Sequence, residues 1–348
     1  MSKSKIEWTD AVWNPVTGCT KVSQGCAHCY AERMSKRLAG RCGYPKDEPF
    51  RVTLHPDKLT EPLKWKKPRK IFVNSMSDLF HEDVPDKFID EVFAVMADAG
   101  QHTFMILTKR PDRMMKYLSP DNPRYTAAKV FRLTKDAAGK FDCDLHWPLI
   151  NVWIGVSVEN QAAADERIPL LLQTPAAVKF ISAEPLLGSV DITKFFPQKY
   201  PNSYKILSHF YGPNGFDSTG SQAEQTMSSG LSWVICGGES GPGARPMHPD
   251  WVRSLRDQCQ AAGTKFFFKS WGDWIVPEDG DVACRACGCT WQNACEDRCY
   301  WIEPGLCSNC VGKPIPTFRA VKFRRVGKKK AGRLIDGRTW DEMPEVKP

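Results

Sequence analysis

The 348-residue sequence contains no long apolar run. No segment approaches the roughly 18 apolar residues that a membrane-spanning helix requires, and the polar residues 1–5 (MSKSK) lack the apolar core of a signal peptide. The missing membrane span and signal peptide argue against a membrane partner and against secretion, and we expect the protein to reside in the cytoplasm. The sequence also shows no motif of a general base.

The composition is that of a globular protein. With 42% hydrophobic and 25% charged residues, the chain can form one large domain or two ordinary ones. Its formal net charge is +8 at pH 7, and its pI is about 8.8. A basic balance of this size permits a polyanionic partner, but a solvated basic surface explains it equally well.

Ten of the fourteen cysteines fall in two tight clusters, unlike the spread pattern of a secreted disulfide scaffold. The first cluster lies in residues 18–30 (GCTKVSQGCAHCY), a turn-rich loop ahead of a predicted helix. Cys26 and Cys29 form a C-x-x-C pair, and Cys19 extends it. Three thiolates leave one metal position open, as in an iron–sulfur cluster with a free iron. Zinc with a distant fourth ligand and unligated cysteines are the alternatives.

The second cluster contains two C-x-x-C pairs, formed by Cys284, Cys287, Cys307 and Cys310. Because each pair offers two thiolates from one tight turn, the pattern predicts a tetrahedral structural zinc site. Three surplus cysteines, Cys289, Cys295 and Cys299, suit a second metal or an auxiliary iron–sulfur cluster, or are free thiols. The region is poor in aliphatic residues, so metal binding would supply most of its folding energy. The prediction is a small zinc-ribbon-like insert over 276–315.

Apolar strands alternate with amphipathic helices through most of the chain. Strands are predicted at 70–76, 103–107, 151–156, 178–181, 233–236 and 265–269, after a short first strand that ends near Thr17. Helices are predicted at 85–99, 161–173 and 250–262, and Pro111 opens another. This alternation indicates an α/β fold with a parallel sheet. Six or seven such units favour a complete or partial (β/α) barrel over residues 1–275, followed by the insert and a basic segment, 316–348, that packs back on the barrel.

Polar residues follow one predicted strand after another at its carboxyl end, where barrel folds place their active sites. They are Asn74, Ser75, Ser77, Asp78, Lys109, Arg110, Ser157, Glu159, Glu184 and Glu239. Their recurrence favours a shared site. Helix capping after each strand is the structural alternative.

Eight motifs carry a resemblance to a known family. They are Asn14-Pro15-x-x-Gly18-Cys19, Gly25-Cys26-x-x-Cys29-Tyr30-Ala31-Glu32, and the segments 72–80 (FVNSMSDLF), 107–111 (LTKRP), 155–159 (GVSVE), 184–188 (EPLLG), 237–241 (GGESG) and 337–340 (GRTW). In this order they resemble the phage gene-37/gene-68 family, whose members carry a three-cysteine motif and are similar to radical S-adenosylmethionine (SAM) enzymes.

The resemblance implies a barrel of the radical SAM type in which Cys19, Cys26 and Cys29 hold a four-iron, four-sulfur cluster. SAM would bind the open iron through its amino and carboxylate groups. One electron from the cluster, which an external reductant restores, would cleave the sulfonium and release a 5′-deoxyadenosyl radical that abstracts a substrate hydrogen. On this basis SAM contacts are assigned to Ser75, Ser77 and Asp78, with Ser157, Glu159 and Glu184 as further candidates. The catalytic assignments are Lys109, Arg110, Glu239 and Arg245, which would hold a substrate carboxylate or phosphate.

The chain departs from the usual radical SAM pattern in three respects. Six residues separate the first two cysteines instead of three, and His28 precedes the last cysteine where an aromatic residue is common. The Gly-Gly-Glu sequence at 237–239 does not follow the second strand, where radical SAM enzymes use it to bind the SAM amino group. Asn74, Ser75, Ser77 and Asp78 occupy that place instead.

The leading hypothesis is a radical SAM enzyme, an isomerase or a base-modifying enzyme, that acts on a nucleotide, a nucleic-acid base or a similar anionic substrate. Hypermodification of thymine in phage DNA is a specific form of this hypothesis, and a phage-encoded protein would act in the host cytoplasm. One alternative is a non-catalytic, zinc-stabilised nucleic-acid-binding protein. The other is a radical SAM enzyme that acts on a peptide.

Overall fold

The computed structural model describes residue 4, residues 6–119, 148–196, 230–276 and 323–345, and the backbone of 301–303 and 306–307. In chain order the strands are β1 (Ala11–Trp13), β2 (Val16–Thr17), β3 (Thr53–Leu54), β4 (Lys70–Val73), β5 (Thr103–Thr108), β6 (Val152–Ser157), β7 (Val178–Ala183), β8 (Trp233–Gly237), β9 (Lys265–Ser270), β10 (Trp274–Ile275), β11 (Trp301–Glu303), β12 (Leu306–Cys307) and β13 (Arg324–Arg325). The helices are α1 (Tyr30–Arg37), α2 (Asp86–Asp98), α3 (Pro111–Leu118), α4 (Gln161–Gln173), α5 (Pro249–Ala262) and α6 (Lys328–Ala331).

Seven strands form one parallel sheet in the order β1-β4-β5-β6-β7-β8-β9. The order follows the chain, as it does in a (β/α) barrel. Strands β1 and β9 stand at the two edges, so the sheet is a half-barrel. The predicted α/β class and partial barrel are therefore confirmed.

The helices form where the sequence places apolar stripes between start and stop signals. Helix α2 buries Phe88, Ile89 and Val92 on one face. Helix α4 begins after Asn160, whose side-chain oxygen accepts a hydrogen bond from the backbone N–H of Ala163 (3.0 Å). Helices packed in this way cover the outer face of the sheet, where the main hydrophobic core lies. No helix in the described ranges is long and apolar enough to span a membrane.

The inner face of the half-barrel is filled with large side chains near the amino ends of its strands. This aromatic plug consists mainly of Trp8, Trp153, Phe180, Trp233 and Phe267. The rings meet at tilted and edge-on angles, the geometry that aromatic quadrupoles favour. Polar residues therefore gather at the opposite, carboxyl ends of the strands.

The C-terminal residues cover the exposed edge of β9. Phe268 N–H donates to the carbonyl of Trp340 (2.8 Å), and Glu342 N–H donates to the carbonyl of Phe266 (3.2 Å). The Trp340 ring contacts Phe266 edge-on and lies under the guanidinium of Arg338, 4.2 Å from its centroid. This segment removes an open edge on which another chain could pair.

The second cysteine cluster falls largely outside the described residues. Cys284, Cys287, Cys310 and the three surplus cysteines are all in that part of the chain. Only the backbone of Cys307 is described, in β12, which pairs antiparallel with β11. The zinc-ribbon-like insert stays a prediction.

Candidate functional site

The three-cysteine segment, residues 18–30 and called here the cysteine loop, starts at the carboxyl edge of the sheet. Gly18 N–H donates to the carbonyl of Met76 (3.0 Å), and Cys19 N–H donates to the carbonyl of Phe50 (3.1 Å). The backbone of Gly18 has φ +84°, and a Cβ there would lie 2.1 Å from the carbonyl oxygen of Arg51. Only glycine fits this entry point to the loop.

Two predicted SAM contacts, Ser75 and Ser77, hold the chain that leads into the cysteine loop. The hydroxyl of Ser75 donates to Asn14 Oδ1 (3.2 Å), which also accepts from Met76 N–H (3.1 Å). The hydroxyl of Ser77 donates to the carbonyl of Val16 (2.9 Å). These bonds fasten β1 and β2 to the end of β4, and they leave each serine with acceptor lone pairs only.

The third predicted SAM contact, Asp78, is buried at the junction of β4 and β5. Its carboxylate accepts hydrogen bonds from Thr108 Oγ1 (2.7 Å), Phe80 N–H (3.0 Å) and Lys109 N–H (3.1 Å). Arg110 Nη1 lies 3.4 Å from the same carboxylate. Asp78 therefore joins two neighbouring strand ends and orients the residues that follow β5.

Arg110 connects the end of β5 to the first cysteine. Its Nη2 donates to Thr20 Oγ1 (2.7 Å), its Nη1 donates to Cys19 Sγ (3.4 Å), and its Nε donates to Glu82 (3.0 Å). The side chain is only 10% exposed. A largely buried guanidinium thus lies directly against the cysteine loop.

His81 is a neighbour of this contact that sequence reasoning missed. Its Nδ1 accepts from Asp83 N–H (3.1 Å), so the ring proton belongs on Nε2, which faces Thr20 Oγ1 at 2.9 Å. Burial and the nearby Arg110 lower the pKa of His81. The ring is therefore neutral near pH 7 and acts as a fixed donor to the loop.

Glu159, at the end of β6, forms a buried ion pair with Arg167 of α4. Arg167 Nη1 donates to Glu159 Oε2 (2.9 Å) and to the carbonyl of Ser157 (2.9 Å). The two side chains are 2% and 4% exposed. Burial alone would raise the pKa of Glu159, but the Ser23 hydroxyl, Arg167 and Lys109 outweigh it and lower that pKa. The carboxylate is therefore charged at neutral pH.

The cysteine loop packs directly on this pair. A Cβ at Gly25 would lie 3.3 Å from Glu159 Cδ and 3.4 Å from Lys109 Cε. Gly25 precedes Cys26, so close packing here brings the second cysteine against a carboxylate and an ammonium group. The absence of a side chain at Gly25 makes that approach possible.

Glu239 and Arg245, after β8, form an ion pair whose arginine also contacts the cysteine loop. Arg245 Nη2 and Nε donate to the two carboxylate oxygens of Glu239 (2.7 and 2.9 Å), a bidentate pair. The same Nη2 donates to the carbonyl of Gln24 (3.1 Å). Burial would raise the pKa of Glu239, but its bonds with Arg245 lower it.

Two glycines between these residues allow the β8 loop to touch the cysteine loop and α1. A Cβ at Gly243 would lie 2.6 Å from the His28 ring, and one at Gly241 would lie 2.3 Å from Arg33 Nη1. Both glycines have positive φ, +76° and +96°. The Gly-Gly-Glu region therefore supports the cysteine loop from the sixth strand of the sheet.

Glu184 takes a different position, away from these contacts. It forms an ion pair with Lys269, and the two side chains meet beside Gly237. Burial would lower the pKa of Lys269, but the Glu184 carboxylate outweighs it and raises that pKa. This pair links the ends of β7 and β9 across β8.

The thiols of the loop differ in their electrostatic surroundings. Burial and the nearby Asp78 carboxylate raise the pKa of Cys19 to about 11, although Arg110 acts in the opposite direction. Burial would also raise the pKa of Cys26, but Lys109 and hydrogen bonds within the loop lower it. All three loop cysteines are free and partly exposed.

The donor set fits an iron–sulfur cluster in its chemistry. Three thiols on one short loop leave one iron without a protein ligand. Arg110 beside Cys19 and Lys109 beside Cys26 place positive charge around what would be an anionic group. Within the described ranges, no three His, Cys, Asp or Glu side chains are already arranged as a metal site. Cluster ligation by the cysteines stays a prediction.

Sequence reasoning also missed Arg167, although a signal was present. Arg167 occurs among buried apolar residues of α4, between Ala164 and Ile168 and ahead of Leu171. A charged residue on the apolar stripe of a helix must find a partner, because an unpaired buried charge is strongly unfavourable. The stripe therefore pointed to a buried carboxylate on the neighbouring strand end.

Together these features define an α/β half-barrel protein with a cysteine loop held at the carboxyl edge of its parallel sheet. The chain belongs to the family described as "Protein of unknown function (DUF5131)", whose model matches residues 3–344. No curated protein and no solved structure matches the chain.

Proposed function

We propose that this protein is a radical SAM enzyme that acts on a nucleotide or a nucleic-acid base. One observation carries the proposal: side chains from three strand ends converge on a single three-cysteine loop. They are Arg110 after β5, Glu159 after β6 and Arg245 after β8. Ser77 after β4 bonds to Val16, in the chain that leads into the loop. A structural zinc site closed by its own four ligands does not require such a frame. A (β/α) barrel typically builds its active site from the ends of several strands.

In this proposal Cys19, Cys26 and Cys29 hold a four-iron, four-sulfur cluster with SAM at its open iron. The bound group supplies an organic radical for hydrogen abstraction. The residues of the chain orient and charge-balance the site: Arg110 and Lys109 offset the negative charge of three thiolates.

The assignment of SAM contacts follows from the free hydrogen-bonding capacity of the strand ends. Ser75 and Ser77 offer acceptor lone pairs, which suit the ammonium group of SAM. Asp78, Arg110, Glu159, Glu239 and Arg245 already bond to one another or to the loop, so we assign them to holding the loop. Glu184 and Lys269 lie apart from that frame and bond to each other, so we assign this pair to neither SAM nor the loop.

The substrate class rests on charge and resemblance. The formal net charge of +8 is compatible with an anionic partner, and the resemblance to a phage radical SAM-like family favours a nucleotide or base. The predicted zinc-ribbon-like insert would add a small module of the kind that often contacts nucleic acid.

The test is anaerobic reconstitution with iron and sulfide, followed by reduction with SAM and chromatography for 5′-deoxyadenosine. We expect wild type to bind iron and sulfide and to form product, and Cys26→Ala to lose both. Cys42→Ala is the matched control, because Cys42 is exposed and lies outside the loop. A colourless protein that holds zinc and forms no product would refute the proposal and leave the binding-protein alternative.

A further inference from the structure

We propose that the exposed face of α1 binds the backbone and a base of a single-stranded nucleic acid, so that the substrate is a polymer and not a free nucleotide. The face, called here the α1 face, consists of Tyr30, Arg37 and Arg41, all exposed. This inference rests on the proposed function for its substrate class, but the α1 face is a surface to which the sequence patterns gave no role.

Positive charge is concentrated around this helix. Residues 19–46 contain six Lys and Arg and one Asp or Glu, a formal charge of +5, before Asp47 and Glu48 follow. Charge this dense on one short segment attracts a polyanion and accelerates its association.

Two of these cations, Arg37 and Arg41, are free to pair with phosphate. Lys21 and Lys36, in contrast, both bond to the Glu32 carboxylate at 2.9 Å. Arg37 and Arg41 are exposed, and in the described part of the chain no carboxylate lies within 4.0 Å of either. A free guanidinium is the side chain best suited to bidentate contact with phosphate oxygens.

The α1 face also presents an exposed aromatic ring. Tyr30 is 58% exposed, although it directly follows Cys29 at the start of the helix. Tyr30 and Arg37 have the spacing i, i+7, which places them on one face. A base stacked on Tyr30 would lie beside the cysteine loop, and the phosphates that follow it would run towards the arginines.

The length of this row favours a polymer. Arg37 follows Tyr30 by seven helical positions, about 10 Å along the axis, and Arg41 follows four residues after the helix end. A free nucleotide carries its phosphates at one point, whereas a strand can occupy the aromatic ring and the separate cations together. The combination of stacking and spaced cations is typical of single-strand binding surfaces.

The experiment measures binding of a fluorescently labelled, mixed-sequence single-stranded DNA to the full chain by anisotropy, over a range of salt concentrations. For Arg37→Gln/Arg41→Gln we expect weaker binding at low salt and a salt slope that is smaller by about 1.4, since each lost contact to a single strand removes about 0.7. Tyr30→Ala should weaken binding about tenfold at every salt concentration, and Tyr30→Phe should restore it because the ring is retained.

Two control pairs remove the same charge elsewhere. Lys66→Gln/Lys67→Gln neutralises exposed cations that precede β4, at the amino edge of the sheet, and should leave binding unchanged. Lys329→Gln/Lys330→Gln neutralises the basic C-terminal segment. Equal loss in the Lys66/Lys67 pair, loss only in the Lys329/Lys330 pair, or full affinity in the Arg37/Arg41 pair would overturn the inference.

This result is separable from the proposed function. Formation of 5′-deoxyadenosine without nucleic acid tests SAM cleavage alone, whereas anisotropy requires neither cluster nor SAM. A protein that cleaves SAM but binds no oligonucleotide through the α1 face loses only this inference. A protein that binds through the α1 face but cleaves no SAM retains the surface and loses the enzyme.

Discussion

At the scale of single residues, the Glu159–Arg167 pair is the most deeply buried ion pair described beside the cysteine loop. Both side chains are almost completely buried. Two charges removed from water gain little net stability from their pairing, but removing one partner leaves the other buried and uncompensated. The pair therefore holds the end of β6 in place more than it stabilises the molecule.

We predict that Glu159→Gln lowers the free energy of unfolding by about 3 kcal/mol, because it leaves Arg167 without its counter-charge. Urea denaturation followed by circular dichroism measures the change. Glu166→Gln makes the same substitution at the exposed residue next to Arg167 and should change stability by less than about 0.5 kcal/mol.

The same pair has a pH signature. Because the pKa of Glu159 in the folded protein lies below its ordinary value of 4.5, its contribution is fully present above that pH and is lost as the pH falls through the folded value. The stability difference between wild type and Glu159→Gln should therefore shrink below pH 4.5. A difference that is independent of pH would contradict this account.

At the scale of elements, β6 and β7 depend on a glycine that faces a ring. Gly155 and Phe180 are register partners on the two strands. A Cβ at Gly155 would lie 2.6 Å from the Phe180 ring. The missing side chain therefore lets the aromatic plug fill the inner face without spreading the strands.

We predict that Gly155→Ala destabilises the protein by about 1–3 kcal/mol through overpacking. Gly188→Ala is the control, since the nearest atom to its Cβ would be 3.7 Å away, an ordinary contact. Thermal and urea denaturation compare the two variants. The double change Gly155→Ala/Phe180→Leu should recover part of the loss, and a double variant less stable than either single one would rule out this explanation.

At the scale of the whole molecule, the C-terminal segment completes the sheet that the barrel leaves open. Ile335 and Trp340 are buried, at 1% and 9% exposure. Trp233 Nε1 of the aromatic plug donates to the carbonyl of Glu342 (2.8 Å). The segment is thus fastened both to β9 and to the aromatic plug.

We predict that truncation after residue 332 lowers stability by about 3 kcal/mol or more, the scale of losing a buried tryptophan. It should also increase light scattering with protein concentration, because the edge of β9 becomes available for pairing. Truncation after Glu345 is the control, since it keeps every contact described for the segment. Equal stability of the two truncated proteins would show that the segment is not part of the folded core.

Much of the fold was predictable because its signals are local. The helix predicted at 161–173 has those limits in the structure, and those predicted at 85–99 and 250–262 begin and end within one residue of the observed helices. Apolar runs bounded by polar residues likewise marked the strands of the sheet. Periodicity, proline at the first helical turn and glycine past the last turn require no knowledge of distant contacts.

The sequence predicted which residues lie at the site better than it predicted how those residues pair. Polar residues at strand ends indicated which side chains gather at the carboxyl edge. Their partners, such as Thr20 for Arg110 and Gln24 for Arg245, are 90 and 221 residues away in the chain. Pairing over such distances depends on which strands become neighbours, and single-sequence patterns do not contain that information.

The sequence by itself determined that this chain forms parallel strands with helices between them and that three cysteines share one loop, because both properties depend on residues close together in the chain. Only the tertiary structure decided that the sheet is a half-barrel, that its strand ends hold the cysteine loop, and that Glu159 and Glu239 are committed to arginines. Those outcomes follow from packing and charge pairing between distant segments, where burial leaves each ion only the partners that the fold brings to it.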